Sequence, residues 1–305
     1  MLALGMLWIP ITVFAALAQT VRNAAQRHLV TELGTLGATL VRFLYGLPFA
    51  ALWLALVALA TGERFTMPSF AFFAWCLFGG LAQIAATALL LRTMRERNFA
   101  VGVAYSKTEV VQVALFSFVL LGDRLTVASA LAVASGTLGV LLLAPADRER
   151  PFASLVAGLT SRSAMLGIGS GAGFALSAVA YRAATQIAGT PSWLLNAALT
   201  VVVAQFLQTL MLGGWLWWRS PDVVVRTLRA WRVSLFAGFM GAAASAGWFT
   251  AMAIEPVAHV RTLGLIELLF SYVISRRAFR EKFTRLELTG IGILTLGLIV
   301  VTLAR

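Results

Sequence analysis

The sequence has little charge. Only 12% of its 305 residues are Asp, Glu, Lys or Arg, whereas soluble domains carry about 25%. With 60% hydrophobic residues and a mean hydropathy of +0.89, the chain has too little polar surface to cover a globule of this size in water. This shortage argues against an ordinary soluble protein.

Cysteine and histidine are also scarce. The single Cys76 lies in an apolar run and excludes a disulfide framework. With only His28 and His259, a histidine-based metal cluster is excluded as well. The sequence contains neither a glycine-rich phosphate loop followed by Lys-Ser or Lys-Thr nor a nucleophile–base constellation. We therefore expect no metal, no cofactor, no ATP hydrolysis and no enzymatic activity.

Acidic residues are half as frequent as basic ones, 12 against 24, which gives a net charge of +12. A nucleic-acid-binding protein would carry such an excess on a polar face. Here the arginines lie between long apolar runs, so we expect no nucleic-acid partner.

Long apolar runs are what the sequence has in abundance. A membrane helix needs about 20 mostly apolar residues, and the sequence lacks the alternating pattern of barrel strands. The first run has no basic start, so we interpret it as a true span and not as a signal peptide. The sequence predicts an all-α integral membrane protein with ten transmembrane helices, at 5–25, 36–60, 70–91, 99–121, 126–144, 164–185, 193–217, 233–253, 257–275 and 286–304.

The two halves of the chain resemble each other. A shift of 158 positions aligns 71–147 with 229–305, and it places Glu109 on Glu267. Because each half holds five spans, the second half must enter the membrane from the opposite side. This predicts two inverted five-helix repeats, at 1–147 and 164–305, joined by a linker at 148–163. Inverted repeats are the architecture of many secondary transporters.

The basic residues indicate the same inversion. The connections between spans 1–2, 3–4, 5–6, 7–8 and 9–10 hold 16 of the 24 Lys and Arg residues. By the positive-inside rule these Arg-rich connections are cytoplasmic. Both termini are then predicted outside.

At this point the sequence resembles the EamA-type transporters of the drug/metabolite transporter superfamily. The resemblance covers essentially the whole chain, and its motifs are loose. It is carried by Leu-Leu-Gly-Asp-Arg-Leu-Thr at 120–126, Arg-Glu-Lys-Phe-Thr at 280–284, and the glycines Gly136, Gly139, Gly290 and Gly297. It implies a bacterial inner-membrane protein that exports a small organic solute or metabolite. In this family the fourth helix of each repeat often has a proline after the acidic residue. Val110 and Leu268 stand there instead, so we expect straighter helices.

Three ionisable residues inside predicted spans are the sharpest candidates for substrate binding or proton coupling. Glu109 and Glu267 are repeat-equivalent, and a charge near the midplane costs at least about 2.5 kcal/mol on insertion scales. Lys107 lies roughly 200° from Glu109 around a continuous helix. We therefore expect Lys107 to pair with a Glu on a neighbouring helix or with an anionic substrate group. The alternative for all three is a static ion pair or structural hydrogen bond.

Other polar and aromatic residues are candidates for the lining of a cavity. Tyr105, Glu109 and Gln112 share one face of the fourth span, and the remaining candidates are Gln83, Thr87, Ser245, Trp248, Arg42, Arg261 and His259. The alternative for each is helix–helix contact, or for His259 an interfacial position. We interpret Arg22, at the end of its predicted span, as a headgroup contact.

These features predict a secondary active transporter that moves a small-molecule substrate across the bilayer by alternating access with proton coupling. One alternative is a flippase subunit for a lipid-linked sugar or phosphate. A lateral opening towards lipid would favour it. Another is a non-transport membrane scaffold or sensor, which would be favoured if Lys107, Glu109 and Glu267 all faced lipid or were locked together without a cavity. The sequence leaves substrate identity, and the choice between monomer and homodimer, open.

Overall fold

The computed structural model describes residues 6–63, 67–96, 99–121, 134, 161–282, 285, 288–289 and 292–293. Within these ranges the chain is almost entirely helical and has no strand. The helices are α1 (Trp8–Leu44), α2 (Leu47–Thr61), α3 (Phe70–Glu96), α4 (Phe99–Ser106), α5 (Glu109–Leu121), α6 (Arg162–Gln186), α7 (Trp193–Arg219), α8 (Pro221–Arg229), α9 (Trp231–Ile254), α10 (Val257–Leu263) and α11 (Glu267–Arg277). A 3-10 turn, Gly264–Ile266, joins α10 to α11.

Among the described residues, six helical segments are long and apolar enough to cross a membrane, so the prediction of a helical multi-pass membrane protein is confirmed. The segments are Trp8–Thr61, Phe70–Glu96, Arg162–Gln186, Trp193–Arg219, Trp231–Ile254 and Val257–Arg277. The predicted spans 126–144 and 286–304 lie almost wholly outside the described residues. The number of ten spans therefore stays a prediction.

The first of these segments folds back on itself. Its 54 residues would extend about 81 Å as a straight helix. Gly34 adopts φ 71° and ψ 173°, a backbone conformation that glycine reaches at little cost. The Gln26 amide donates to the Ala38 carbonyl at 2.7 Å, although a straight helix would hold these residues about 18 Å apart. The predicted spans 5–25 and 36–60 both lie in this segment, on either side of Gly34.

Two pairs of long helices form the centre of the bundle. Helix α9 packs along α1, and α6 packs along α3. Small residues lie where these helices meet, with Gly247 against Ala15 and Gly173 against Ala86. Small side chains allow backbones to approach closely, which stabilises membrane helices by van der Waals contact.

Two helices are interrupted inside the bundle, which overturns the expectation of straighter helices at Glu109 and Glu267. Between α4 and α5, the Lys107 amide donates to the Ala104 carbonyl and the Val110 amide to the Lys107 carbonyl, both in the tighter i to i−3 pattern. The Ser106 and Thr108 hydroxyls donate to further carbonyls of α4. Backbone groups freed by the break are thus satisfied within the protein, as the membrane interior requires. Between α10 and α11, the 3-10 turn makes the second interruption.

One end of the bundle is held together by Glu281. Its carboxylate lies 2.7 Å from Arg27 Nη2 and accepts hydrogen bonds from the Phe99 amide and the Ser275 hydroxyl. The Arg27 guanidinium also stacks on the Phe279 ring at 4.2 Å. These residues come from, or lie next to, three of the Arg-rich connections. This end of the molecule is therefore closed by contacts between distant parts of the chain.

Candidate functional site

Each helix interruption places a carboxylate at the start of the helix that follows it. Glu109 is the first residue of α5, and Glu267 is the first residue of α11. A helix N-terminus carries partial positive charge and unpaired amide groups, which stabilise an acidic side chain there. Both residues are only 1% exposed. The interruptions therefore give a physical reason why two buried acids are tolerated.

Glu267 is surrounded by three donors. Gln19 Nε2 and Asn23 Nδ2, both on α1, donate to its two oxygens at 2.7 and 3.1 Å. Lys107 Nζ lies 2.5 Å from Glu267 Oε2. The carboxylate thus joins α1 and the first interruption to the second one.

Lys107 connects the two acids. The expected partner on another helix is present as Glu267, but the expectation that Lys107 does not contact Glu109 is wrong, because Lys107 Nζ lies 3.9 Å from Glu109 Oε2. The angular argument assumed a continuous helix, whereas the chain turns more tightly at Lys107. Arg261 Nη1 lies 2.8 Å from the other oxygen of Glu109. The result is a buried chain of charges that runs Arg261, Glu109, Lys107, Glu267.

Trp248 contacts residues at both ends of this chain of charges. Its indole Nε1 donates to Gln19 Oε1 at 2.9 Å, and the Arg261 guanidinium lies 4.6 Å from its ring centroid. A guanidinium over an indole face is stabilised by the ring quadrupole. Trp248 therefore orients both a donor to Glu267 and the cation that pairs with Glu109.

Gly171 of α6 permits the first interruption to pack closely. A Cβ at this position would lie 2.7 Å from Thr108 Oγ1, 2.8 Å from the Ser106 carbonyl oxygen and 2.9 Å from the Glu109 nitrogen. Only glycine lets α6 approach the broken backbone without displacing it. The position of Lys107 and Glu109 thus depends on a residue in the other half of the chain.

Two further arginines lie in the bundle interior. Arg22 is 0% exposed, so its interpretation as a headgroup contact is wrong. It lies within α1, which continues well beyond the predicted end of the first span, and its Nη2 donates to Asn23 Oδ1 at 2.7 Å. Arg42 is 2% exposed and donates from Nη1 to Thr87 Oγ1 at 3.0 Å.

The interruption lies between Tyr105 and the other two residues of the predicted shared face, Glu109 and Gln112. Tyr105 is buried against Gly167 and Ala164 of α6. Gln112 is half-buried on α5.

The polar face of α3 is used for contacts between helices. Gln83 Oε1 accepts a hydrogen bond from Gln208 Nε2 at 2.8 Å, and Thr87 Oγ1 accepts one from Arg42 Nη1. Ser245 is buried on α9, one turn before Trp248. The side-chain hydrogen bonds of Gln83 and Thr87 therefore lead to Gln208 and Arg42, and not to Glu109 or Glu267.

His259 lies apart from the charge network. Its Nδ1 is 2.6 Å from Glu255 Oε1 at the end of α9, while Arg182 donates to the Glu255 carbonyl.

Gln19 and Asn23 were missed as site residues. With Gln26 they repeat at i, i+4 and i+7 in an otherwise apolar helix, and such spacing predicts one polar stripe. That stripe was the signal that could have identified them. Among the described residues, no group of three or more His, Cys, Asp or Glu side chains could hold a metal ion.

Comparison with known proteins gives the fold but no family. No protein-family model matches this chain, and no curated protein sequence matches it. A solved structure described only as "Crystal structure of protein" superposes with a TM-score of 0.61 at 16% identity, over 99% of this chain and 96% of that one. The likeness extends along the whole chain and concerns the fold alone.

Proposed function

We propose that this chain is a secondary transporter of the EamA type, in the drug/metabolite transporter superfamily, that exports a small organic solute by alternating access. The observation that carries the proposal is the buried chain of charges at two interrupted helices. Ionisable groups inside a membrane are costly and are found where substrates or protons pass. Interrupted helices that meet near the midplane are typical of secondary transporters.

A static scaffold would also account for ion pairs between Lys107, Glu109 and Glu267. It does not account for the charge balance. The described interior holds four buried cationic side chains, Arg22, Arg42, Lys107 and Arg261, against the carboxylates of Glu109 and Glu267. A structural network gains nothing from surplus buried charge, because each uncompensated ion costs several kcal/mol. The surplus therefore favours a site that receives another charged species.

The unequal position of Lys107 supports proton coupling as part of the proposal. Its ammonium is 2.5 Å from Glu267 and 3.9 Å from Glu109. A proton on Glu267 would remove the nearer attraction, and the ammonium would then move towards Glu109. Two alternative pairings of one cation form a two-state element of the kind that a proton can bias.

The inverted repeat and the orientation belong to the same proposal. The interruptions at 107–108 and 264–266 fall at matching positions under the shift of 158 residues, which supports the repeat. In this proposal the chain lies in the bacterial inner membrane with both termini outside. The contacts around Glu281 then close the cytoplasmic end.

Exchange of Glu267 for glutamine tests the coupling. We expect a proton gradient to drive accumulation of at least one radiolabelled probe, from a set of amino acids, amines and nucleosides, in liposomes with the unmodified protein. Glu267→Gln keeps the size of the side chain but cannot bind and release the proton. Gradient-driven uptake should fall by about tenfold or more, because the charged residue provides the coupling.

Glu32→Gln is the matched control, because Glu32 is an exposed carboxylate on α1, the helix that carries Gln19 and Asn23. Its uptake should equal that of the unmodified protein. Unchanged gradient-driven uptake by Glu267→Gln would contradict the coupling role, and no uptake of any probe by the unmodified protein would contradict transport.

A flippase is the second candidate, and an apolar groove favours it. The groove has a volume of about 690 Å³ and lies between the first turns of α1, helix α2 and helix α9. Its lining includes Phe14, Leu52, Trp53 and Phe239, which suits an acyl chain. In the same liposomes, a flippase would move a fluorescent lipid between leaflets, and Ala246→Trp in the groove would abolish that movement while leaving solute uptake intact.

A further inference from the structure

Arg22 and Arg42 converge on one point of the interior. A Cβ at Gly241 of α9 would lie 3.3 Å from Arg22 Cδ and 3.4 Å from Arg42 Cγ. The two side chains thus approach the same residue from the two arms of the hairpin that folds at Gly34. Two buried arginines thus lie against one residue, and the charge of Arg22 repels that of Arg42.

Neither arginine is neutralised by a carboxylate within ion-pair distance among the described residues. Arg22 is completely buried, and its Nε and Nη1 have no hydrogen-bond partner there. Arg42 donates to the Thr87 hydroxyl, which carries no charge. Buried donors without partners are rare in native structures and call for an explanation such as a missing ligand.

The charged groups around these arginines do not offset the excess of buried positive charge. Arg261 repels both arginines and Arg22 repels Arg42, whereas Glu267 attracts both and Tyr181 attracts Arg42. Glu267 is already occupied by Lys107, and Arg261 by Glu109. Among the buried cations of the described residues, Arg22 and Arg42 are therefore left without a paired carboxylate.

We infer that Arg22 and Arg42 together bind an anionic group, a carboxylate or a phosphate, of the transported solute. The inference rests on the proposed function, because Arg22 is closed off in this conformation and the anion must enter through an opened one. A guanidinium presents parallel N–H donors that match the oxygens of a carboxylate or phosphate. Arg22 Nε and Nη1, which have no hydrogen-bond partner among the described residues, could each donate to such an oxygen.

The anion site is connected to the proton site. Asn23 accepts from Arg22 and donates to Glu267 at 3.1 Å. A negative group bound at Arg22 would repel the Glu267 carboxylate across this one side chain and favour its protonated form. Anion binding and protonation of Glu267 would then be coupled, with each favouring the other.

Anion binding by the purified protein in detergent tests the inference without any transport. Sodium phosphate and sodium acetate are the two probes, with choline chloride at equal ionic strength as the reference, and the readouts are the thermal unfolding midpoint and calorimetric titration. We expect one of the two anions to stabilise the protein, and the responding probe identifies phosphate or carboxylate. Arg22→Gln and Arg42→Gln should each weaken binding by about tenfold to a hundredfold.

Arg219→Gln is the control, because Arg219 is exposed at the end of α7, and its anion binding should be unchanged. The two interior variants should also unfold at a higher temperature than the unmodified protein without anion, because each removes an uncompensated charge. If Arg22→Gln does not yield folded protein, Arg42→Gln and Arg22→Lys decide, and the lysine variant should retain weakened binding.

Three outcomes would overturn the inference: no response of the unmodified protein to either anion, equal binding by both interior variants and the control, or lower basal stability of both interior variants. Its failure can be told apart from failure of the transport proposal. Arginine-dependent anion binding without any solute uptake would contradict transport alone. Gradient-driven uptake that is independent of Arg22 and Arg42 would contradict the anion site alone.

Discussion

At the residue scale, Lys107 is the centre of the candidate site. Among the described residues it is the cation that contacts both buried carboxylates, at 2.5 Å from Glu267 and 3.9 Å from Glu109. Arg261 pairs with Glu109 alone. Removal of Lys107 therefore leaves Glu267 with amide donors but no direct counter-charge.

A double-mutant cycle between Lys107 and Glu267 measures this dependence. Lys107→Met should destabilise the protein by about 3–5 kcal/mol, because it leaves a buried carboxylate without its partner. Adding Glu267→Gln to Lys107→Met removes that unpaired charge. The double variant should therefore be more stable than Lys107→Met alone, with a coupling of about 1–3 kcal/mol. Unfolding in denaturing detergent gives the four free energies.

The reference cycle pairs Lys107→Met with Glu32→Gln, which alters an exposed carboxylate. These two changes should be additive to within about 0.5 kcal/mol. If Lys107→Met and Glu267→Gln are also additive to within about 0.5 kcal/mol, their contact contributes nothing to stability. The proposed pairing would then be wrong.

The sequence identified the charged members of the site better than the polar ones. Lys107, Glu109 and Glu267 stand out because charges inside apolar runs are rare and costly. Gln19 and Asn23 carry no charge, and amide side chains are common between membrane helices. Their role depends on which way α1 faces, and that is decided by packing against distant helices.

At the scale of elements, the interrupted helices show where sequence reasoning stops. Hydrophobic runs predicted spans 99–121 and 257–275, and the helices lie there. The interruptions carry no proline, so the local sequence gave no reason to expect them. Their cause is partly tertiary, because the break before Glu109 packs directly on Gly171 of α6. A contact between residues so far apart in sequence cannot be deduced from either segment alone.

Gly171→Ala tests whether α6 supports the first interruption. The added Cβ would lie within 2.9 Å of the Ser106 carbonyl oxygen and the Glu109 nitrogen, which are backbone atoms. We expect destabilisation by about 1–3 kcal/mol from overpacking, and slower gradient-driven uptake because Glu109 is displaced. Unfolding in denaturing detergent and uptake into liposomes are the two measurements.

Gly169→Ala is the matched control on the same helix. Its Cβ would meet only Leu89 Cδ1, at an ordinary 3.5 Å, and alanine favours a helix by up to about 1 kcal/mol over glycine. This variant should be as stable as the unmodified protein or more so. If Gly171→Ala behaves in the same way, the close approach of α6 does not support the interruption.

At the scale of the whole molecule, the proposed orientation rests on the distribution of basic residues. The Arg-rich connections predict one cytoplasmic face, and the contacts that join Arg27, Phe99 and Glu281 close the same end. The resemblance to EamA-type transporters implies cytoplasmic termini, whereas the charges place both termini outside. Because the two predictions place the termini on opposite sides of the membrane, one accessibility experiment distinguishes them.

The unmodified protein is the negative control for cysteine labelling, because its single cysteine, Cys76, is completely buried. Asp222→Cys marks the Arg-rich connection after α7, and Ile187→Cys marks the opposite end after α6; both sites are exposed. In intact bacterial cells, a membrane-impermeant maleimide should label Ile187→Cys at once and Asp222→Cys only after permeabilisation. The reverse pattern would place the termini inside, and it would also move the Glu281 closure to the outer face of the membrane.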